Sequence, residues 1–418
     1  MTPIIRAPRP DELDEVFRVD GRNFGFGYAP EDITNRMLVL EPERFRVAVD
    51  GRDIVGTTGT YSFEMTLPGG AAIPTAGITW VSVAATHRRR GILASLSAAA
   101  FAEAADHGDA ACALTSSEGA IYGRFGYGVA TQARLTRLDR RLVQLRDDHW
   151  PGTAPPARDS RADDVRFVEG DEFLALAPAI YDRYRRMQPG EMSRHANWWR
   201  HLVDARSRPA GSIAPAVYAV HRDGFAVYRV ENNWHTDRSA HVLHLAELAA
   251  CTPAAHTALW RLVLGVDLVG VIDSWAMPVD DPLSLMLTDQ RALRTNELRD
   301  GVWVRVLDVP AVFGTRNYGT VDELVVEVVD EGPRERSWAG ATGRFRITGS
   351  PSAAACRRVR SRPDLVLPAA SLGPLSVGGT RPSSLARGGR LTARSDDVLR
   401  RADAFFASER APHCQTGF

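Results

Sequence analysis

Helical and strand-like spacings of apolar residues alternate along the first 150 residues. The predicted helices are residues 11–22 and 91–107, and the predicted strands are residues 45–49, 54–63, 76–84 and 110–115. The Asp50-Gly51 turn predicts a hairpin between the first two strands, and Gly108 is suited to the left-handed residue that ends the second helix. These residues therefore predict a mixed α/β unit over 1–150.

A change of composition follows this unit. Residues 151–164 are rich in proline, alanine and charge and have no periodicity, which is typical of a linker. Beyond it, residues 165–306 again mix helix and strand, and residues 307–418 contain two strands and a helix capped by Ser395. We therefore expect domains at 1–150, 165–306 and 307–418. The further predicted elements are helices 172–186, 254–264 and 395–407 and strands 225–230, 241–245, 323–329 and 343–347.

The composition is that of a globular protein that does not bind nucleic acid. The chain has 418 residues, 44% hydrophobic and 24% charged, and its 51 basic residues balance 51 acidic ones. That length predicts two or three domains, and a net charge of zero provides no overall field for a phosphate backbone. The four cysteines lack metal-ligand spacing, so no metal site and no disulfide framework are expected.

The location predicted from the sequence is the cytoplasm. The N-terminus has acidic residues by position 11 and no apolar segment like that of a secretory signal. The longest apolar stretch, residues 262–277, is interrupted by Asp267 and Asp273 and is shorter than the roughly 20 residues that cross a bilayer. No membrane partner is expected.

The strongest chemical signal is the segment VSVAATHRRRGIL, residues 81–93. It predicts a strand, a basic turn and a glycine that opens a helix. Free N–H groups at a helix start, the helix dipole and arginine side chains together bind a pyrophosphate such as that of coenzyme A. The alternative is a solvated basic turn before a surface helix.

A second segment, SEGAIYGRFGYG at residues 117–128, follows the next predicted strand. The order of strand, phosphate turn, helix, strand and tyrosine resembles the GNAT acetyltransferase superfamily, although Leu93 stands where that superfamily usually has glycine or alanine. This leucine is similar to one branch, the Eis (enhanced intracellular survival) family. The signatures PTAG (74–77), THRRRG (86–91) and 117–128 also resemble that family, densely over residues 74–131.

The resemblance implies an α/β (α+β) fold with two GNAT-like regions in tandem and a C-terminal α/β domain like sterol carrier protein. Only the first region keeps the cofactor turn. The implied activity is acyl transfer from acetyl-CoA, as co-substrate and without a metal, to a primary amine of a small molecule. Similar family members form hexamers, so a homohexamer is expected.

The resemblance also assigns catalytic roles. Tyr122 matches the general acid of the family, because a phenol with a pKa near 10 can protonate a departing thiolate at neutral pH. A core tyrosine is the alternative. Phe418 matches the final residue whose terminal carboxylate is the general base in the family. With an intrinsic pKa near 3.5 this group would need burial or a water relay, and a frayed tail is the alternative.

The remaining site residues also come from the resemblance. Val81 and Val83 would line the pantetheine path, and the N–H of Val83 or a neighbour would bind the thioester carbonyl. The expected pyrophosphate contacts are Arg88, Arg89, Gly91, Ile92 and Leu93. Ser117 and Glu118 would contact the cofactor further along, although Glu118 could instead be an ordinary residue at a helix start. His87 is interpreted as a turn residue rather than a base.

The acceptor site is predicted to be less anionic than in the mycobacterial members. Phe26 and Arg36 stand where those members carry an acidic and an aromatic residue, Phe24 is a further candidate, and Gly417 replaces an acidic residue. Polycationic aminoglycosides bind best among carboxylates, so a more apolar amine is expected. Two alternatives are acetylation of protein or peptide lysine and non-catalytic binding of acyl-CoA or lipid.

Overall fold

The computed structural model describes residues 3–146, 165–234, 239–329 and 341–418. The predicted linker at 151–164 lies outside these residues. No helix in the described ranges is long and apolar enough to cross a bilayer. Most of the predicted helices and strands are present with ends shifted by a few residues. For example, the helix predicted at 91–107 runs over Ile92–His107 and ends at Gly108, which is left-handed with φ 89°.

The strands of the first sheet, in chain order, are β1 Ile4–Arg6, β2 Arg46–Asp50, β3 Asp53–Thr66, β4 Ala72–Val83, β5 Ala111–Thr115 and β6 Gly128–Val129. Those of the middle of the chain are β7 Gln132–Asp139, β8 Arg166–Val168, β9 Val217–His221, β10 Gly224–Glu231, β11 His241–Ala250, β12 Val269–Met277, β13 Leu293–Asp300 and β14 Val302–Val306. The last part contains β15 Asp322–Val329, β16 Gly343–Gly349, β17 Ala354–Arg358, β18 Leu365–Pro368 and β19 Thr392–Ala393.

The helices cover these sheets. They are α1 Leu13–Phe24, α2 Pro30–Met37, α3 Ile92–His107, α4 Gly119–Tyr122, α5 Gly170–Arg186, α6 Ala196–Arg206, α7 Pro253–Leu264, α8 Leu283–Met286, α9 Val309–Phe313, α10 Leu372–Ser376, α11 Pro382–Arg387 and α12 Asp396–Phe405. Ser395 caps α12, as predicted, by accepting a hydrogen bond from the Val398 N–H.

Three sheets organise the chain, and the first two exchange strands. Their orders are β1-β2-β3-β4-β5-β14-β6, β13-β7-β12-β11-β10-β9-β8 and β17-β16-β15-β18-β19. β7 precedes the expected linker but pairs in the second sheet, whereas β14 lies before the expected boundary at 306 and pairs in the first. The ends of the sheets therefore do not coincide with boundaries read from composition. Pairing partners of short strands depend on tertiary packing, which composition does not report.

β4 and β5 diverge and leave an opening between them, which becomes part of the candidate active site. Among the described residues, these parallel strands pair only from Thr75↔Ala111 to Gly77↔Ala113. β5 then pairs along its length with β14 on its other side. β4 bends away through a register shift against β3 and a positive φ of 54° at Trp80. The two strands diverge and leave a wedge between them, which we call the fork.

The first and third parts of the chain share a hydrophobic core. One continuous cluster of buried side chains includes Phe45 and Trp80 from the first part and Phe313, Phe345 and Phe405 from the third. The same cluster includes Met192 and Trp198 of the second region, and two further clusters lie on either side of that region's sheet. Relative movement of the first and third parts would expose this common core, so the two are expected to behave as one rigid unit.

A buried ion cluster fixes α3 relative to the fork. The Arg44 guanidinium is 3% exposed and lies 2.8 Å from Glu103 of α3 and 2.6 Å from Asp109, which precedes β5. It also donates to the Ser62 hydroxyl of β3 at 2.6 Å. This arginine therefore links three elements that surround the candidate site.

Arg44→Met should destabilise the protein by about 3–5 kcal/mol, because it leaves two carboxylates without their partner. Urea unfolding followed by tryptophan fluorescence measures this. Arg18→Met is the matched control: Arg18 pairs with Glu15 on the exposed face of α1, and its loss should cost at most about 1 kcal/mol. If the two substitutions lowered the free energy of unfolding by the same amount, the buried cluster around Arg44 would not have the stabilising role given to it here.

Candidate active site

The basic turn at residues 88–91 leads from β4 into α3. Gly91 is left-handed, with φ 80°, and Arg89 also has a positive φ of 65°. Open space surrounds Gly91, so its conformation rather than crowding favours glycine here. The first backbone bond of α3 runs from the Ser95 N–H to the Gly91 carbonyl, and the amides before it have no partner within the helix. The helix start is therefore suited to an anion.

A cavity of about 800 Å³ opens beside this turn. Every cofactor-binding residue predicted from the sequence lines it: Val81, Val83, Arg88, Arg89, Gly91, Ile92, Leu93, Ser117 and Glu118. Tyr122 and Phe24 also line it. Its volume is in the range of pockets that enclose cofactor-sized ligands, and its residues combine cations and free amides at one end with apolar side chains. The cavity thus fits a molecule with a phosphate group and an extended apolar arm.

Tyr122 lies at the end of α4, the short helix that follows β5. The chain turns sharply after it through Gly126, which has φ 81°. The Tyr122 ring packs edge-on against Tyr127 at 5.9 Å and is mostly buried. Burial, and secondarily the negative charge of Glu118, raise the pKa of its hydroxyl above the usual value of 10. The phenol is therefore protonated at neutral pH.

The backbone at the end of β4 offers a donor to the fork. The Ala84 N–H bonds to the Val55 carbonyl of β3 at 2.8 Å. Successive N–H groups along an extended chain point to opposite sides, so the Val83 N–H points towards β5. There β5 no longer pairs with β4, and the N–H can bind an oxygen atom of a ligand.

The C-terminal residue is docked at the fork rather than frayed. The Thr115 hydroxyl, at the end of β5, donates to an oxygen of the terminal carboxylate of Phe418 at 2.9 Å. The Phe418 ring packs against Phe63 at 5.0 Å. A Cβ atom at Gly77 would lie 2.5 Å from the Phe63 ring and 3.3 Å from that of Phe418. Gly77 is the last residue of β4 that pairs with β5, and the absence of a side chain there makes room for both rings.

The acceptor candidates are placed in two groups. Phe24 and Phe26 are each 48% exposed, and only Phe24 lines the cavity. The Arg36 guanidinium lies outside it, over the rings of Tyr28 at 5.1 Å and Trp80 at 5.5 Å. The structure therefore does not bring Phe26 and Arg36 to the cofactor cavity. They belong to an aromatic surface formed with Tyr28 and Trp80, and the Phe26 ring lies 6.3 Å from that of Phe24 in the cavity lining.

Several cavity residues were not selected from the sequence. They are Asn23, Ser82, His87, Ala94, Ile121, Arg124 and Phe125. The Asn23 amide donates to the Ser82 hydroxyl at 3.2 Å, a pairing across 59 positions for which a single sequence carries no signal. Arg124 could have been selected from the sequence, because it lies in the segment 117–128. His87 bonds to Thr86 and Asp50, as a turn residue does. In the described part of the chain, no cluster of His, Cys, Asp or Glu could hold a metal ion.

Comparison with known families divides the chain into three matches. The model of the acetyltransferase (GNAT) domain matches residues 4–130, a second acetyltransferase (GNAT) domain model matches residues 190–306, and that of the sterol carrier protein domain matches residues 309–415. These matches confirm the predicted fold class. The division at 150, 165 and 306 stays a prediction.

Relatives match over nearly the whole chain. N-acetyltransferase Eis of Mycobacterium tuberculosis H37Ra is 34% identical over 416 residues, 98% of each protein. An uncharacterized N-acetyltransferase of Streptomyces coelicolor A3(2) is 36% identical over 405 residues, 94% of each. The crystal structure of Eis1 from Mycobacterium abscessus superposes with a TM-score of 0.85 at 29% identity, covering 99% of this chain and 100% of that one.

Replacement of Arg88 or Arg89 by glutamine should weaken binding of coenzyme A about 10-fold or more, because a charge-assisted hydrogen bond contributes about 1.5–3 kcal/mol. Calorimetric titration at low and high salt measures this, and the loss should shrink at high salt. Arg90→Gln is the control, since Arg90 donates to the Thr86 carbonyl and does not line the cavity. An equal loss in the control would contradict the assigned pyrophosphate site.

Proposed function

The chain belongs to the Eis family of N-acetyltransferases within the GNAT superfamily, and from this premise we propose that it acetylates a primary amine of a small molecule, with Tyr122 as general acid and the Phe418 carboxylate as general base. The observation that carries the proposal is the docked C-terminus: the terminal residue is bound to Thr115 at the fork, two residues before Ser117, which lines the cavity together with Tyr122.

The residues of the basic turn bind the co-substrate. The GNAT fold implies acetyl-CoA, which supplies an acetyl thioester when it is bound. In the proposal Arg88, Arg89 and the free amides at the start of α3 hold the pyrophosphate. Val81 and Val83 direct the apolar arm along the fork, and Ser117 and Glu118 border the same path.

Phe418 prepares the amine. An ammonium group cannot attack a carbonyl carbon, so a base must first remove a proton. In the proposal the Phe418 carboxylate takes it, directly or through one water. The hydrogen bond from Thr115 holds an oxygen atom of the terminal residue at the fork. This role requires Phe418 to be the last residue of the working protein.

Two groups then stabilise the negative charge that develops during transfer. The Val83 N–H is proposed to donate to the thioester oxygen as that oxygen becomes negative, since a fixed backbone donor is effective in such a wedge. As the new carbon–nitrogen bond forms and the carbon–sulfur bond breaks, the Tyr122 hydroxyl is proposed to deliver its proton to the departing sulfur, and the second proton released by the nitrogen restores the phenol through solvent. Its raised pKa keeps that proton available across the neutral range.

The proposed acceptor is an apolar or aromatic amine rather than a polycation. Exposed Phe24 and Phe26 form an apolar entrance. Arg36 places a positive charge on the adjoining aromatic surface. A cation there repels a polycation. The homohexamer stays a prediction from the resemblance, and the cytoplasmic location stays a prediction from the sequence.

Acetyl-CoA turnover, followed by thiol release, tests the proposal with aminoglycosides, polyamines, arylalkylamines and lysine peptides. We expect arylalkylamines to turn over fastest. Extension by one residue after Phe418 should lower kcat about 100-fold or more, because it moves the general base. Phe418→Tyr keeps a terminal carboxylate and should retain activity within a few-fold. Full activity of the extended chain would refute the terminal carboxylate as general base. Faster turnover of lysine peptides than of arylalkylamines would make protein or peptide lysine the substrate class.

Tyr122→Phe should lower kcat about 100- to 10,000-fold with little change in the KM for acetyl-CoA. In the unsubstituted enzyme, kcat should hold through alkaline pH up to about 10 and fall above it, because burial and Glu118 raise the pKa of the Tyr122 hydroxyl. Stopped assays across pH measure both. Tyr127→Phe, the adjoining ring outside the cavity, is the control. A fall of kcat that begins near neutral pH would exclude Tyr122 as the general acid. A kcat equal to that of the unsubstituted enzyme in Tyr122→Phe would exclude it as well.

A further inference from the structure

The last eight residues of the chain, 411–418, which we call the tail, lie against a buried carboxylate of the second region. Glu191, between α5 and α6, is 0% exposed. Its Oε2 accepts from the Gln415 N–H at 2.9 Å, and its Oε1 accepts from the Thr416 N–H at 3.3 Å and the Thr416 hydroxyl at 3.1 Å. The Cys414 thiol also donates to Oε1, at 3.3 Å.

We propose that Glu191 is a positioning residue that binds the tail and thereby holds the Phe418 carboxylate at the fork. The proposal rests on the proposed role of Phe418 as general base. Glu191 would not touch the reacting atoms. It would act by limiting where the last two residues of the chain can reach.

Burial makes Glu191 and the tail depend on each other. A carboxylate removed from water is costly unless hydrogen bonds replace its hydration. Apart from the N–H of Met192, at 3.1 Å, the donors to Glu191 come from the tail. An undocked tail would leave this carboxylate without them, so the docked state is strongly favoured.

A second layer of charge supports the same contact. The Arg194 side chain is fully buried, and its Nε donates to the Thr416 hydroxyl oxygen at 2.9 Å. Its Nη1 lies 2.5 Å from Glu247, which also pairs with Arg206 at 3.0 Å. The Tyr181 hydroxyl is 2.8 Å from that of Thr416. The second region thus binds Thr416 from several sides.

The reach of the chain connects this anchor to catalysis. Phe418 is two residues beyond Thr416, and a residue spans at most about 3.3–3.6 Å. An anchored Thr416 therefore confines the terminal residue to a sphere of roughly 7 Å radius. Before the anchor, the His413 N–H bonds to the Pro189 carbonyl and Gln188 bonds to the Ala411 carbonyl. These contacts fix the direction from which the tail approaches the fork.

Two near-isosteric variants test the proposal, Glu191→Gln in the receptor and Thr416→Val in the tail. Glutamine would turn an N–H₂ group towards a backbone donor, and valine would remove the hydroxyl. Release of Phe418 by carboxypeptidase A, followed by mass spectrometry, reports docking without reference to activity. Both variants should release Phe418 about 10-fold faster or more. Their kcat should fall by a similar factor while the KM for acetyl-CoA is unchanged.

Glu64→Gln is the matched control, because Glu64 is exposed, pairs with Arg185 near the same loop and, within the described ranges, has hydrogen-bond partners only in β4 and in residues 185–193, outside the tail. Neither the protection of Phe418 nor kcat should change in it. Thermal melting excludes general unfolding of the variants.

The one-residue extension separates the two proposals. If Glu191 acts through the terminal carboxylate, Glu191→Gln should cause no further loss of kcat in the extended chain. An equal further loss there, or unchanged release of Phe418 in both variants, would overturn the positioning role. If the extension alone leaves kcat intact, the general base is wrong, whereas faster release of Phe418 would still show that Glu191 holds the tail.

Discussion

The divergence of β4 and β5 after three paired residues is the constraint on which the rest of the site depends. Backbone groups that a continuous sheet would pair are left available in a wedge. The basic turn follows the end of β4 by a few residues, and the helix that carries Tyr122 follows the end of β5. The wedge persists because β14 pairs with β5 from the other side, so β5 remains ordered without β4.

The terminal residue reaches this wedge through all three parts of the chain. The third part supplies the tail, and its core is continuous with that of the first. The second part has no phosphate turn in its sequence, but its buried charges surround Thr416. Strand exchange between the first two sheets fixes these parts relative to each other. The second region thus binds the tail, and in our proposal this contact positions the Phe418 carboxylate.

The contiguous features were predictable from the sequence, and the distant pairings were not. The segment 81–93 carries its strand, turn and helix start in a row, so local rules predict the turn and the helix start that line the cavity. Gly108 and Ser395 end and begin helices through their own backbone and side chain. By contrast, β14 lies nearly 200 positions from β5, and Glu191 meets Thr416 across 225 positions. The Arg36 guanidinium likewise lies over the ring of Trp80, a residue 44 positions further along the chain, and no local pattern encodes that contact.

Turnover of a chain that ends in a carboxamide tests the central claim most directly. Ligation of a synthetic tail can give two proteins that differ only in the terminal group of Phe418, a carboxylate or a carboxamide. We expect the carboxamide form to bind coenzyme A normally and to lose about 100-fold or more of kcat, since it keeps the docked ring but has no base. Equal kcat in the two proteins would contradict this expectation and would place the base elsewhere in the fork.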